Sequence, residues 1–303
     1  MPAAMMENVQ LNLGVKYAGR VALERHLIRV DNLAEDDTPL LRAIQKAGSA
    51  FRTYIGVPLI VKAEIKGVLE IFHSAPLPND PAWLHFVETL AGQAAIALDN
   101  AQLFEGVQRS NLELRQAYET TIEGWSRALD LRDKETEGHT QRVTEMTLKL
   151  ARAMRVSESE LLHIRRGALL HDIGKMGVPD SILLKPDQLS AEEWEVMRKH
   201  PALAYEMLYP IDYLRPALDI PYCHHEKWDG AGYPRGLKGI AIPLAARIFA
   251  IVDVYDALTS DRPYRKAWTK EKTLAYIKEQ SGEHFDPMVV DMFLKFILDF
   301  EKR

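Results

Sequence analysis

Cysteine is nearly missing from this 303-residue chain: Cys223 stands alone, so no internal disulfide can form and no zinc site built on thiolates is available. Long apolar runs are missing too. No stretch approaches the roughly 18 to 20 uninterrupted apolar residues of a bilayer-spanning helix, and Met1 to Gln10 lacks the basic-then-apolar order of a secretory signal. The expected location is therefore the cytoplasm, with no membrane span. Cationic excess is the third absence. With 38 Lys and Arg against 43 Asp and Glu, the net charge of -5 argues against a nucleic-acid polymer or an anionic membrane as partner. Any anionic ligand would have to be met by a local basic cluster. Internal repeats and low-complexity tracts are absent as well. What remains is ordinary for a folded protein: 47% hydrophobic and 27% charged residues, in a length that favours two domains.

The two parts differ in periodicity. Residues 51–74 carry two β-branched, apolar runs separated by the more polar Lys62 to Gly67, the grammar of a hairpin. Asp80 before Pro81 then supplies an N-cap and a first-turn proline, and Leu84, Val87, Leu90, Ala91, Ala94 and Leu98 follow as an apolar stripe at helical spacing. Beyond about residue 100 helical patterns dominate to the end. Between the parts, Leu103, Val107, Leu114, Tyr118, Trp125 and Leu129 recur at steps of four or seven. Two readings stand: a helix packed on its own core, or a parallel coiled coil joining two copies.

Five histidines, His139, His171, His200, His224 and His225, fall with Glu135, Asp172 and Asp253 into contexts that look chemical. Glu135 and His139 are spaced i to i+4 near a helix start, so both can face one point. Ser157 with Glu160 is a capping-box signal for a helix whose apolar face delivers His171-Asp172 to a buried end. Lys175 could reach back to the same point. Ser190 with Glu193 opens another helix, expected to end in His200 against Pro201. His224-His225-Glu226 closes an apolar run ahead of the sharp turn Asp229-Gly230-Ala231-Gly232-Tyr233-Pro234. Asp253 interrupts a helix, Leu244 to Leu258, otherwise apolar enough to be buried. A buried carboxylate costs several kcal/mol unless something pairs with it. Cys223, His163, His284 and the methionines read as packing or surface.

A catalytic metal takes about three protein ligands and leaves one position open, so these eight donors are too many for one ion and suit two or three. Imidazoles mixed with carboxylates fit iron, manganese or zinc, and donor type alone does not choose among them. Metals about 3.5 to 4 Å apart hold a phosphoryl group and lower the pKa of a bridging water. The implied chemistry is phosphoester hydrolysis.

In this order the residues resemble the HD-GYP family of bacterial cyclic di-GMP phosphodiesterases, a subgroup of the HD-domain metallophosphohydrolases. The resemblance covers roughly residues 110–300 and rests on GHT at 138–140, HDIGKMGVPD at 171–180, KHP at 199–201, HHEKWDGAGYPRGL at 224–237 and DVYDALTSDRPYR at 253–265. It implies that His139, His171, Asp172, His200, His224, His225 and Asp253 are metal ligands, with Asp172 bridging two ions. Iron comes first among the metals, ahead of manganese and zinc, and Glu135 matches a glutamate that recruits a third ion in part of the family. Lys175 matches a lysine beside the scissile phosphate, and Tyr233, Arg262 and Arg265 match residues that hold the dinucleotide.

Residues before the helix resemble the C-terminal portion of a GAF sensory domain. The expected fold class is thus an α+β GAF-like N-terminal domain followed by an all-α HD-type helical bundle. The expected division is 1–104 as a partial GAF-like sensory and dimerisation domain, 105–130 as a connecting helix, and 131–303 as the HD-GYP catalytic domain. The implied activity is hydrolysis of cyclic di-GMP to pGpG and onward to GMP. The implied partners are a second copy through the connecting helix and a GGDEF-domain cyclase. Another cyclic dinucleotide as substrate, or a non-catalytic receptor role, are the competing readings. Loss of ligands would favour the receptor role, and none is lost.

Overall fold

The computed structural model describes residues 13–33, 51–133, 138–261 and 266–300. The chain divides into two compact units, Met1–Leu114 and Arg115–Arg303. The boundary falls inside one helix.

In the first unit, α1 (Lys16–Glu24) precedes an antiparallel sheet of β1 (Ile28–Val30), β2 (Thr53–Val61) and β3 (Glu64–His73), in the order β1-β2-β3. The hairpin is tighter than the sequence predicts. Val61 pairs with Glu64, and only Lys62 and Ala63 form the loop, both in the left-handed region at φ 49 and 65. That conformation matches the twist of the flanking strands in a two-residue turn, so Lys66 and Gly67 lie in β3. β2 is central, so both its edges are paired, and side chains pack on both its faces. Ile55, Val57 and Leu59 pack on Val87, Ala91 and Ala95 of the next helix, while Tyr54 packs with Leu33, Tyr17 and Phe72 on the other side.

That next helix, α2 (Pro81–Asp133), is continuous over 53 residues. Asp80 accepts the Ala82 amide through its side chain at 3.0 Å, and Pro81 opens the helix as expected. Its buried face runs through Val87, Ala91 and Ala95, whereas Leu90 and Leu98 of the predicted stripe are exposed. Small alanines let the helix lie close on the sheet, and the bulkier leucines sit on its outer side. Farther on, Leu103, Val107, Leu114, Tyr118 and Trp125 are exposed, while Ile122 and Leu129 are buried in the second unit.

The second unit continues with α3 (His139–Ala153), α4 (Glu158–Leu169), α5 (Asp180–Leu183), α6 (Ala191–Met197), α7 (His200–Leu208), α8 (Asp219–Cys223), α9 (Leu244–Thr259), α10 (Lys270–Glu279) and α11 (Pro287–Phe300). Among the described residues its helices contain no strand beyond an isolated bridge between Ser281 and Phe285. Both capping boxes read from the sequence form, at Ser157/Glu160 and Ser190/Glu193. The main core gathers Val143 and Leu150 of α3, Leu161 and Ile164 of α4, Ile248, Phe249, Ile251 and Val252 of α9, and Phe293 of α11. A second cluster joins Ile122 of α2 to Leu169, Leu170, Ile173, Ala204 and Leu208. Each such side chain contributes about 1.5 to 3 kcal/mol on burial. Among the described residues no helix is long and apolar enough to cross a membrane.

Candidate metal centre

Seven of the predicted donors converge. They form two groups, Asp172 with His200, His224 and His225, and His139 with His171 and Asp253; within each group the donor atoms lie within 4.8 Å of one another. Helix ends deliver most of them. His171 and Asp172 follow α4, His224 and His225 follow α8, and Asp253 sits inside α9. His200 corrects the sequence reading: the preceding helix stops at Met197, and His200 opens α7 with Pro201 in its first turn. Proline is tolerated there because the first helical amides have no partner to lose. Gly174 makes the convergence sterically feasible, since a Cβ on it would lie 1.9 Å from the His200 carbonyl oxygen. The Asp172–Gly177 turn can therefore press directly on the start of α7.

The tautomers are fixed by neighbours. Nδ1 of His171, His200 and His224 donates to the carbonyls of Ala168, Met197 and Ile220 at 2.9, 2.9 and 3.0 Å. Nδ1 of His139 instead faces Oδ2 of Asp256 at 2.7 Å. Each Nε2 is thereby left pointing inward. Asp172 lies among them, with Oδ1 3.2 Å from His200 Nε2 and 3.7 Å from His224 Nε2, and Oδ2 3.1 Å from His171 Nε2. His139 Nε2 is 3.3 Å from Asp253 Oδ1. His200 and His224 bring their Nε2 atoms to 3.3 Å. Two imidazoles that both donate through Nδ1 present lone pairs to one another, an arrangement that needs a cation beside it.

On His224 and His225 a proton is disfavoured. Burial lowers the pKa of His224 despite the nearby Asp172, and burial, then His224 and His200, push His225 well below its usual value. The carboxylates go the other way. Burial opposes ionisation of Asp172, but Lys175 and His171 outweigh it and hold the group well below the usual carboxylate range. Asp253 is lowered despite burial by its bond to His139, and His171 is raised because Asp172 outweighs the cost of burial. Ionised carboxylates beside imidazoles whose Nε2 atoms converge form a donor set that fits divalent metal ions.

The Nζ of Lys175 is 2.7 Å from Asp172 Oδ2 and 3.2 Å from Asp133 Oδ2. Tyr233 stacks on the His225 ring at 4.8 Å, and burial, then Asp172, push its phenol up to about 12. Glu135, Arg262 and Arg265 lie outside the described residues.

Three carboxylates that serve the site were not singled out from the sequence. Glu226, 2% exposed, accepts the amides of Arg235 and Leu237 at 2.7 and 2.9 Å and so ties down the loop carrying Tyr233. In that loop a Cβ on Gly232 would lie 2.3 Å from the Lys227 amide nitrogen. Asp133 holds Lys175, and Asp256 holds His139. Glu226 follows the histidine pair directly and Asp256 lies one helical turn past Asp253, so adjacency was the available signal.

A family model described as an HD domain matches residues 124–289, more than half of the chain. The chain belongs to the HD-domain family. A GAF domain model matches residues 3–99, so this HD-domain chain carries a GAF-type unit ahead of its helices. It is 42% identical over 185 residues to the cyclic di-GMP phosphodiesterase response regulator RpfG of Xanthomonas campestris, covering 60% of this chain and 49% of that protein. A cyclic di-GMP phosphodiesterase of Vibrio cholerae is 40% identical over 216 residues, covering 66% and 44%. The 3'3'-cGAMP-specific phosphodiesterase 2 of the same organism is 40% identical over 186 residues, covering 61% and 36%. The chain thus spans half or less of the length of these curated relatives. Among solved structures, an HDGYP protein from Bdellovibrio bacteriovorus aligns over 91% of this chain and 99% of its own, with a TM-score of 0.46 and 16% identity.

Proposed function

We propose that the chain is a metal-dependent phosphodiesterase that hydrolyses cyclic di-GMP to pGpG and onward to GMP. The observation that carries this reading is the convergence of seven imidazole and carboxylate donors, with Lys175 against the bridging-type Asp172. The ligands would be His139, His171 and Asp253 for one ion and His200, His224 and His225 for another, with Asp172 shared. We assign iron first, with manganese or zinc as the alternatives, and a third ion where Glu135 joins the set. Ions held there would supply charge neutralisation at the phosphoryl oxygens and a bound water of lowered pKa.

The chain's own residues do the rest. Lys175, or a water beside it, gives a proton to the departing 3' oxygen, which its ammonium is poised to do while paired with two carboxylates. Tyr233 on His225 offers a flat wall for the dinucleotide, and Arg262 and Arg265 take its phosphates through charge-assisted bonds. Those two arginines answer the charge question that a net charge of -5 raises.

A second substrate reading has a specific support: relatives specific for 3'3'-cGAMP match this chain about as well as those acting on cyclic di-GMP. Product chromatography with both dinucleotides tests the proposal. Linear pGpG from cyclic di-GMP is the expected outcome; turnover of 3'3'-cGAMP alone would transfer the assignment, and no turnover of either would overturn it.

For the rest of the molecule we retain 1–104 as the sensory and dimerisation part, 105–130 as the connector and 131–303 as the catalytic part, in a cytoplasmic homodimer able to meet a GGDEF-domain cyclase. The apolar side chains of Leu103, Val107 and Leu114, exposed along α2, support the dimer.

A further inference from the structure

Three of the four inward-pointing histidines are oriented by main chain, and one is not. His171, His200 and His224 each lie at or just past a helix end and donate Nδ1–H to a carbonyl of the preceding turn, at Ala168, Met197 and Ile220; a carbonyl oxygen has two lone pairs, so Ile220 accepts the His224 amide as well. His139 is the first residue of α3, after Gly138 at φ 74. A helix start exposes amide donors, not carbonyl acceptors. The acceptor facing its Nδ1 is a side chain of α9, the Asp256 carboxylate at 2.7 Å.

Asp256 is itself held. Arg142, one turn beyond His139 on α3, donates Nε to Oδ1 at 2.8 Å and Nη2 to Oδ2 at 2.9 Å, a two-pronged bond. The carboxylate is 6% exposed as a residue. A carboxylate acceptor does more than a carbonyl: it fixes the tautomer and makes the distal nitrogen a stronger donor to a metal.

We propose that Asp256, clamped by Arg142, is the positioning residue that sets the affinity of the His139, His171 and Asp253 group for its ion, independently of the group built on His200, His224 and His225. The proposal rests on the metal reading given above. Asp256 is thus a replaceable side chain that orients His139, and the ion that His139 helps to hold is the one open to selective loss.

The test titrates the metal-stripped chain with Mn2+ and follows uptake by calorimetry and electron paramagnetic resonance, in wild type, Asp256→Asn and Arg142→Gln. Expected are two affinity classes in the wild type, one of them weakened roughly 10- to 100-fold in Asp256→Asn with the other unchanged, and a smaller loss in the same class for Arg142→Gln. Long-range nitrogen NMR of the metal-free protein should show His139 moving from a single Nδ1–H tautomer to a mixture in Asp256→Asn. A purely structural role would shift both classes together with the melting temperature of the metal-free form, and would overturn the proposal. Unchanged affinities in the variants, with normal uptake by the wild type, would overturn it as well. No uptake by the wild type would defeat the metal reading, and this proposal with it.

Discussion

The ammonium of Lys175 lies 2.7 Å from Oδ2 of Asp172, the carboxylate that faces both donor groups. Asp133 holds the same ammonium from its other side at 3.2 Å. Removing the lysine leaves the histidines and their main-chain partners untouched. Lys175→Ala should therefore keep its metal content and lose turnover by about 10²- to 10⁴-fold, the usual weight of a positioned proton donor. Loss of metal in this variant would reassign the lysine to a structural part.

Asp172→Ala should behave differently, because its two oxygens face different histidines, His200 and His224 on one side and His171 on the other. Both ions should leave and turnover should fall to background, as read by elemental analysis and rate together. A variant that binds two ions would refute the bridging role.

Much of this site was legible in the sequence, for identifiable reasons. Capping boxes at Ser157 and Ser190 are local, so they predict helix starts correctly, and with them the place where His171-Asp172 emerges. His200 was misplaced onto the end of a helix because proline after a histidine can mark either a stop or a new start, and packing of α7 against the Gly174 turn decides between them. Asp256 and Glu226 escaped because their roles are set by partners far along the chain, His139 and the amides of Arg235 and Leu237. In the first unit, Leu90 and Leu98 fit the helical period as well as Val87 and Ala91 do. Periodicity alone cannot distinguish a buried face from an adjacent exposed one.

The loop carrying Tyr233 hangs on Glu226. A glutamine there can accept only one of the two amides now bonded, at 2.7 and 2.9 Å, and must leave the other facing an amide group. Glu226→Gln should cost about 1 to 3 kcal/mol in urea unfolding and raise KM. Unchanged stability would show that the loop is held by other contacts.

His284 gives a pH signature. Burial, then Lys227, lowers its pKa to about 4, so the folded state resists a proton that the unfolded chain takes up near 6.5. The stabilising contribution is present above 6.5 and is lost as pH falls toward 4, roughly 3 kcal/mol over that window. Urea unfolding of the metal-free chain at pH 7 and pH 4.5 should show a smaller drop for His284→Gln than for wild type. Equal drops would place the acid sensitivity elsewhere.

On α2, Leu103, Val107 and Leu114 are 54%, 59% and 51% exposed. Paired glutamates at Val107 and Leu114 should convert a dimer to a monomer in sedimentation, without unfolding the helices. A wild type that sediments as a monomer would remove the dimer.

The most direct measurement strips the purified chain with a chelator, restores Fe2+ or Mn2+ in steps, and records at each step both bound metal and the rate of linear product formed from cyclic di-GMP. The account predicts negligible hydrolysis in the stripped protein and a rate that rises with occupancy of the centre built on Asp172. Hydrolysis that persists at full rate with no metal bound would contradict it.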